Sequence, residues 1–183
     1  SFVEQFVGAP TERRRLVFRP ASRTLADLIR WCTTATHNPD PLTREGLPHA
    51  SRQAILREQG VIELLIACVT LPFDTAVFSR DEFVQKRMSE AYAAYHQVAV
   101  LSVRLLRHII RDSPMGKRTC IRHTQTLIGL LECDVMAADT LTELFKNNEQ
   151  LVERLTHHHP QAYARPDKCM PFSDGAVGWA LTQ

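Results

Sequence analysis

Along most of this chain, apolar residues recur at every third or fourth position, the spacing that places them on one face of an α-helix. The longest such stretch runs from about 89 to 112 and predicts a long helix that spans three or more packing contacts. A shorter helix with one buried face is predicted to begin at Pro20 or Ser22 and to end near Thr34. After the shorter helix, residues 36–49 collect several prolines and a glycine, which predicts a loop.

A helix interrupted by a single glycine is predicted in SRQAILREQGVIELLIACV, residues 51–69. Glycine adopts the left-handed conformation of a helix C-cap without a steric penalty, so we expect one helix to end at Gly60 and the next to begin at once. The two asparagines at 147–148 separate two apolar helical runs in the same way. Further breaks are predicted over 71–81 and at SPMG, residues 113–116.

The chain is predicted to be all-α. Strand-like patterns are limited to 14–18 and 176–182, and both are too short to carry a sheet. Short amphipathic helices in pairs favour an armadillo-like, superhelical stack, in which each pair covers the apolar face of the next. An ordinary helical bundle stays open, because periodicity alone does not separate the two. We divide the chain into a lead-in (1–18), an armadillo-like helical domain (19–158) and an irregular C-terminal tail (159–183).

Composition excludes several classes of protein. The chain has 183 residues, a formal net charge of +2 and 44% hydrophobic residues, values typical of a globular protein. A charge so near neutral does not predict a nucleic-acid binder, so any affinity for anions has to come from local clusters. No apolar run reaches the roughly 18 residues that a membrane span needs, and we expect no membrane insertion of this stretch. Because the chain begins at Ser1 and not at a methionine, we interpret it as a domain of a longer protein.

No motif for catalysis or cofactor binding is found, since the sequence lacks GxxxxGK[ST], GxGxxG, HExxH and GxSxG. We therefore predict no enzyme activity, no catalytic residue and no cofactor. The five cysteines lack CxxC spacing and are interpreted as reduced thiols. The consecutive histidines at 157–159, taken with Cys169, do not have the spacing of a zinc site, so no metal is predicted.

Arginines are the most informative polar residues of the sequence. Arg104, Arg107 and Arg111 lie at i, i+3 and i+7 and so share one face of the long helix. Like charges at this spacing repel by about 0.3 kcal/mol per pair, unless an acidic partner or an anionic ligand compensates them. A second group lies near the N-terminus: Arg13, Arg14, Arg15, Arg19 and Arg23. Two interpretations stay open, one polyanion site built from both groups, or two separate basic faces with water and acidic neighbours.

Three motifs, in order along the chain, resemble the homology domain shared by inositol trisphosphate receptors and ryanodine receptors, the RIH domain. They are SRQAILREQGVIELLIACVTLPF, VRLLRH and DVMAADTLTELFKNNEQLVERL, and the resemblance covers residues 19 to about 156. It implies an armadillo-like helical domain of a homotetrameric intracellular calcium-release channel. It also implies a position on the cytoplasmic side of the endoplasmic reticulum or of an acidic calcium store, far from the pore.

The resemblance also implies a place for an inositol phosphate. In trisphosphate receptors this domain forms one wall of the ligand cleft, and a neighbouring β-trefoil domain forms the other. By resemblance, Arg19 and Arg23 take positions from which the family's first helix presents basic residues to the phosphates. The family's second basic element, a Tyr-Arg-Lys triplet, is replaced here by Ser-Pro-Met at 113–115. Lys117 and Arg118 are the next basic residues, and they can substitute for the triplet only if this loop is reshaped.

These observations give two hypotheses of function. In the first, the domain belongs to a calcium-channel homologue, where it forms one side of the ligand cleft, relays conformational change to the pore, or does both. In the second, it is a helical scaffold that binds a protein or peptide partner along its concave face and has no small ligand. Ryanodine-type domains share the fold without binding trisphosphate, so the fold alone does not decide between ligands.

Overall fold

Every regular element in the described part of this chain is a helix. The computed structural model describes residues 11–34, 37–74 and 79–147. The α-helices are α1 (Thr11–Cys32), α2 (Ala50–Glu58), α3 (Val61–Asp74), α4 (Arg80–Lys86), α5 (Glu90–Ile110), α6 (Pro114–Cys120), α7 (Thr124–Gly129) and α8 (Ala137–Phe145). The all-α prediction is confirmed for these residues, whereas the armadillo-like stack stays a prediction. None of the described helices is both long and apolar enough to cross a membrane.

Helix α1 begins earlier than predicted. It is continuous from its first to its last residue, so the predicted start at Pro20 or Ser22 is wrong, and residues 14–18 are helical and not a strand. Pro20 is exposed, on the side of α1 where a carbonyl that loses its N–H donor can bond to water instead. On the other side, Phe18 is buried against Tyr95 of α5, with 6.2 Å between ring centroids. This packing holds the part of α1 that precedes the proline, across the boundary drawn between lead-in and domain.

Helix α5, the predicted long helix, lies at the centre of the fold. The prediction is confirmed, since α5 runs from Glu90 to Ile110, and α1, α2, α3, α6 and α8 all pack against it. From 98 to 110 every residue is buried except Arg107, so other elements surround this half of the helix. Arg104 and His108 are therefore buried as well, and burying such polar groups is unfavourable unless partners inside the protein compensate them.

Helix α1 runs beside α5 in the same direction. Phe18 lies beside Tyr95, near the beginning of α5. Further along, Thr33 accepts a hydrogen bond from Arg44, whose carbonyl in turn accepts one from Arg104 in the second half of α5. The C-terminal end of α1 and the loop that follows it therefore lie against the buried half of α5.

The predicted break at Gly60 is confirmed. Gly60 has a φ of 69°, its N–H donates to the carbonyl of Arg57 at 3.0 Å, and its own carbonyl accepts from the N–H of Leu64 at 3.2 Å. One residue thus ends α2 and begins α3. Asn147 has a φ of 56°, as expected for an asparagine that stops a helix, whereas Asn148 lies outside the described residues.

We expect Gly60→Ala to lower the free energy of unfolding by about 1 kcal/mol, because a side chain strains the left-handed conformation. A Cβ at this position meets Glu63 only at 3.9 Å, so packing contributes little. Urea denaturation at pH 7 measures the change. Gly60→Asn is the matched control and should lose clearly less, since asparagine tolerates this conformation. Equal losses in both variants would contradict a conformational origin.

Candidate functional site

Two arginines of α5, Arg104 and Arg107, and the residue directly after the helix, Arg111, converge on one carboxylate. Arg104 Nη2 and Arg107 Nη1 donate to Glu45 Oε1 at 2.6 and 2.7 Å, and Arg111 Nη1 donates to Glu45 Oε2 at 3.1 Å. Glu45 lies in the loop of residues 37–49 that precedes α2. We call these four residues the arginine clamp. The sequence left open whether an acidic partner or a ligand offsets the repulsion among these arginines, and in the structure Glu45 is the acidic partner.

The members of the clamp differ in exposure, because the side chain of Arg104 is 3% exposed and that of Glu45 is 52% exposed. Burial by itself would raise the pKa of Glu45, but the hydrogen bonds from Arg107 and Arg104, and their charges, outweigh it and hold that pKa at about 2. Since this pKa is below its ordinary value of 4.5, the clamp stabilises the fold above about pH 4.5. The contribution is lost as the pH falls toward 2.

Arg44, the residue before Glu45, anchors the same loop to the end of α1. Its side chain is buried and donates to Thr33 Oγ1 at 2.7 Å, to the carbonyl of Thr34 at 2.5 Å and to the carbonyl of Asn38 at 3.2 Å. Backbone hydrogen bonds close the base of the loop, from Thr34 N–H to the carbonyl of Leu47 and from His49 N–H to the carbonyl of Cys32. The loop is therefore fixed at its base independently of the clamp.

Arg52 and Gln53, in the first turn of α2, donate to backbone carbonyls at the ends of two other helices. Arg52 Nη1 donates to the carbonyl of Trp31 at 2.6 Å, and the Arg52 guanidinium lies 5.3 Å from the centroid of the Trp31 ring. Gln53 Nε2 donates to the carbonyls of His108 and Arg111, at 2.8 and 2.7 Å. The last carbonyls of a helix have no partner within it, so these two side chains satisfy such groups at the ends of α1 and α5.

His108 lies inside the same region and has no partner for its ring. It is fully buried, and neither Nδ1 nor Nε2 forms a hydrogen bond within the described part of the chain. Burial first, and then the positive charges of Arg104 and Arg107, lower the pKa of His108 to about 4. His108 is therefore neutral at physiological pH and leaves the positive charge of the clamp unchanged.

The predicted ligand residue Lys117 points into the protein. Its Nζ donates to the carbonyl of Lys146, just after α8, at 2.7 Å and lies 3.6 Å from Glu143 Oε1. The side chains of Lys117 and Glu143 are 11% and 7% exposed, so this lysine is occupied by an internal partner. Pro114 is the first residue of α6, so the break after α5 lies at 111–113, and the last three residues of the predicted break at SPMG are helical. Arg118, by contrast, is exposed.

The other predicted ligand residues, Arg19 and Arg23, are exposed on α1, and no partner for their side chains is found among the described residues. Through Phe18, Arg19 lies at the level of Tyr95 in the first half of α5, whereas Lys117 and Arg118 follow the end of that helix. A helix rises about 22 Å between these two levels. The structure thus brings Arg104, Arg107 and Arg111 together and places the other four in two separate pairs, whose binding of phosphate stays a prediction.

The cysteines of the described residues are free thiols: Cys32, Cys68, Cys120 and Cys133. Burial raises the pKa of Cys120 to about 12 and that of Cys32 to about 11, so both are protonated and unreactive at neutral pH. Cys169 and the histidines at 157–159 lie outside the described residues. Within the ranges that are described, no three His, Cys, Asp or Glu side chains gather where they could hold a metal ion.

Sequence reasoning missed the residues that complete this region, and the signals for them differ in strength. Gln53 is a polar residue one helical turn from Leu56 on the buried face of α2, a position at which an internal hydrogen-bond partner is expected. His108 adjoins the VRLLRH arginines in the most apolar part of α5. Glu45 had no such signal, because it lies in a loop and its partners are about sixty residues away along the chain. Arg44 had none either, although the partners of its side chain lie close to it in the sequence.

The fold and the clamp define an all-α domain whose buried polar residues join helix ends and one loop. Residues 22–164, more than half of the chain, match the RIH domain, the homology domain of ryanodine and inositol trisphosphate receptors. The chain therefore belongs to the RIH family, and the resemblance carried by the three motifs is confirmed. RIH domains are found in inositol trisphosphate and ryanodine receptor calcium-release channels, which are not enzymes.

We expect Gln53→Leu to lower the free energy of unfolding by about 2 kcal/mol, because the carbonyls of His108 and Arg111 lose their donor while the size of the side chain is kept. Urea denaturation measures the change. Gln59→Leu, at an exposed position just after the same helix, is the control and should change stability by less than about 0.5 kcal/mol. A loss at residue 53 no larger than that at residue 59 would contradict the capping role.

The stability of the domain should fall as the pH is lowered from about 6.5 to about 4, because the unfolded chain protonates His108 before the folded protein does. The contribution of His108 to this fall is up to about 3 kcal/mol. His108→Gln should remove it, so that the difference in unfolding free energy between variant and wild type changes across this window. Urea titrations at successive pH values test this, and parallel curves for the two proteins would contradict a buried, neutral His108.

Proposed function

We propose that this chain is the helical domain of an intracellular calcium-release channel homologue and that it relays conformational change toward the pore. The observation that carries the proposal is the set of polar contacts at one end of α5. The arginine clamp holds the loop of residues 37–49, Gln53 holds α2, and Lys117 holds the end of α8 close by. These contacts favour movement of α5 and its neighbours as one body.

A rigid unit of helices can transmit a conformational change by rotating as a whole. Rigid helical units pass a rotation from one interface to another, whereas a loosely packed unit would absorb it as internal rearrangement. The proposed partners are neighbouring domains of the same channel, among them a β-trefoil domain, in a homotetramer on the cytoplasmic side of the endoplasmic reticulum or an acidic calcium store. A ligand would shift the closed-to-open equilibrium by its difference in affinity for the two states.

A contribution to an inositol phosphate cleft rests on fewer residues than the sequence predicted. Arg19 and Arg23 are exposed one helical turn apart on α1, an arrangement in which two guanidinium groups can contact one phosphate-bearing ligand. Arg118 is exposed as well, whereas Lys117 would have to leave the carbonyl of Lys146. We therefore propose α1 as the ligand-facing helix and the relay as the better supported role. The rival hypothesis, a scaffold for peptides, has no specific contact in its favour among the described residues.

A chimeric inositol trisphosphate receptor, in which this chain replaces the matching RIH domain, separates the two roles. Gln53→Leu should lower maximal calcium release without shifting the ligand concentration at half-maximal release, because it loosens the body and leaves α1 intact. Arg19→Gln with Arg23→Gln should raise that concentration by about tenfold or more, because charge-assisted contacts are lost. Calcium release from permeabilised cells that lack other such receptors gives both quantities.

Arg30→Gln is the matched control, since Arg30 is another exposed arginine of α1 that already pairs with Asp27 at 2.8 Å. It should leave both quantities unchanged. Full release by a folded Gln53→Leu chimera would overturn the relay. An unchanged ligand concentration after loss of Arg19 and Arg23 would overturn the ligand-facing role of α1 alone.

A further inference from the structure

We propose that the arginine clamp is a binding site for a small soluble phosphate-type anion and that Glu45 occupies this site from within the chain. The proposal does not depend on the channel role or on Arg19 and Arg23. It concerns a region formed by the second half of α5 and the loop of residues 37–49, and it begins from the charges that meet there.

The clamp holds more positive charge than Glu45 neutralises. Three guanidinium groups donate to one carboxylate, which carries a single negative charge. The next nearest acid, Asp112, lies 3.9 Å from Arg111 Nε, beyond hydrogen-bond distance, and its side chain is 59% exposed. A phosphate-type dianion matches three guanidinium groups better than a carboxylate does, because it has more charge and more acceptor oxygens.

The clamp also has donors that Glu45 does not use. The Nε atoms of Arg104 and Arg107 are buried, and neither forms a hydrogen bond with any described residue. A carboxylate has two oxygens, and both already accept from the terminal nitrogens of the arginines. An anion with three or four oxygens can take those terminal donors and offers further acceptors to the unused Nε groups.

The site is accessible without unfolding of the loop. About half of the Glu45 side chain is exposed, so an anion from solution reaches the outer side of the carboxylate. If the Glu45 side chain turns away from the arginines, Arg44 and the backbone hydrogen bonds at the base of the loop still hold the loop against α1. The innermost arginine, Arg104, is almost fully buried, which favours a small solute over a head group fixed in a lipid surface.

The Glu45 carboxylate and an added anion compete for the same three arginines. The direction in which anion affinity changes when this carboxylate is removed therefore tests the proposal. A group held on a short loop acts at an effective concentration in the millimolar range, so added anion binds the wild-type protein weakly. Removing the Glu45 charge should then tighten anion binding. A carboxylate that served only to stabilise the loop would give the opposite or no effect.

The test is calorimetric titration of pyrophosphate into the 183-residue chain, with ionic strength held constant by sodium chloride. We expect Glu45→Gln to bind pyrophosphate at least ten times more tightly than wild type does. Adding Arg107→Gln to Glu45→Gln should return the affinity to the wild-type value or below. Glu63→Gln is the matched control, because Glu63 forms an ion pair with Arg122 at 2.6 Å outside the clamp, and it should bind as wild type does.

Equal affinity of the Glu45→Gln and Glu63→Gln variants would overturn the proposal, as would equal binding when Arg107 is also replaced. Binding only to vesicles that contain phosphatidylserine, with none to pyrophosphate, would overturn it too. Should Glu45→Gln fail to fold, as judged by circular dichroism, the arginine Nε–H resonances of the wild-type protein give a second measurement. Pyrophosphate at millimolar concentration should shift those of the clamp more than chloride does, and equal shifts would refute the site.

Discussion

The burial of a charged stretch of helix at the centre of the protein is the constraint on which the rest of the structure depends. Helix α5 is enclosed by its neighbours from 98 to 110, and two of its arginines and a histidine lie in this stretch. An unpaired guanidinium is too unfavourable to bury, so the fold needs an acid at this place. Glu45 is this acid. It belongs to the loop between α1 and α2, so this loop has to lie against the arginines.

The same constraint explains why the ends of helices, and not their middles, carry most polar contacts of the region. Arg52 satisfies a carbonyl at the end of α1, Gln53 satisfies two at the end of α5, and Lys117 satisfies one after α8. Each of these groups is a positive or polar donor at a carbonyl end, where the helix dipole favours it. Apolar packing thus determines which helices contact α5. These donors determine the position of each neighbouring helix along the axis of α5.

Local features of the sequence predicted local features of the structure. The long helix, the glycine stop at Gly60 and the asparagine stop at Asn147 followed from periodicity and backbone preference, which act within a few residues. The start of α1 did not follow, because packing of Phe18 on Tyr95 overrides the effect of Pro20. Contacts between distant segments could not be predicted at all. The sequence showed a like-charged face on α5, but nothing near Glu45 indicates that this residue forms the ion pairs with those arginines.

Family membership and the proposed inositol phosphate contacts therefore rest on different residues. The motif SRQ contributes Arg52 and Gln53, VRLLRH contributes two clamp arginines, and these four side chains hold elements of the fold together. A match to these motifs carries the fold of the RIH domain, because the residues it contains are the ones that close the helix ends. The exposed residues proposed to contact an inositol phosphate, Arg19, Arg23 and Arg118, lie outside them, on the surfaces of α1 and α6. Those surfaces are free to change while the fold stays the same, which is why the chemistry of this domain has to be argued from its own side chains.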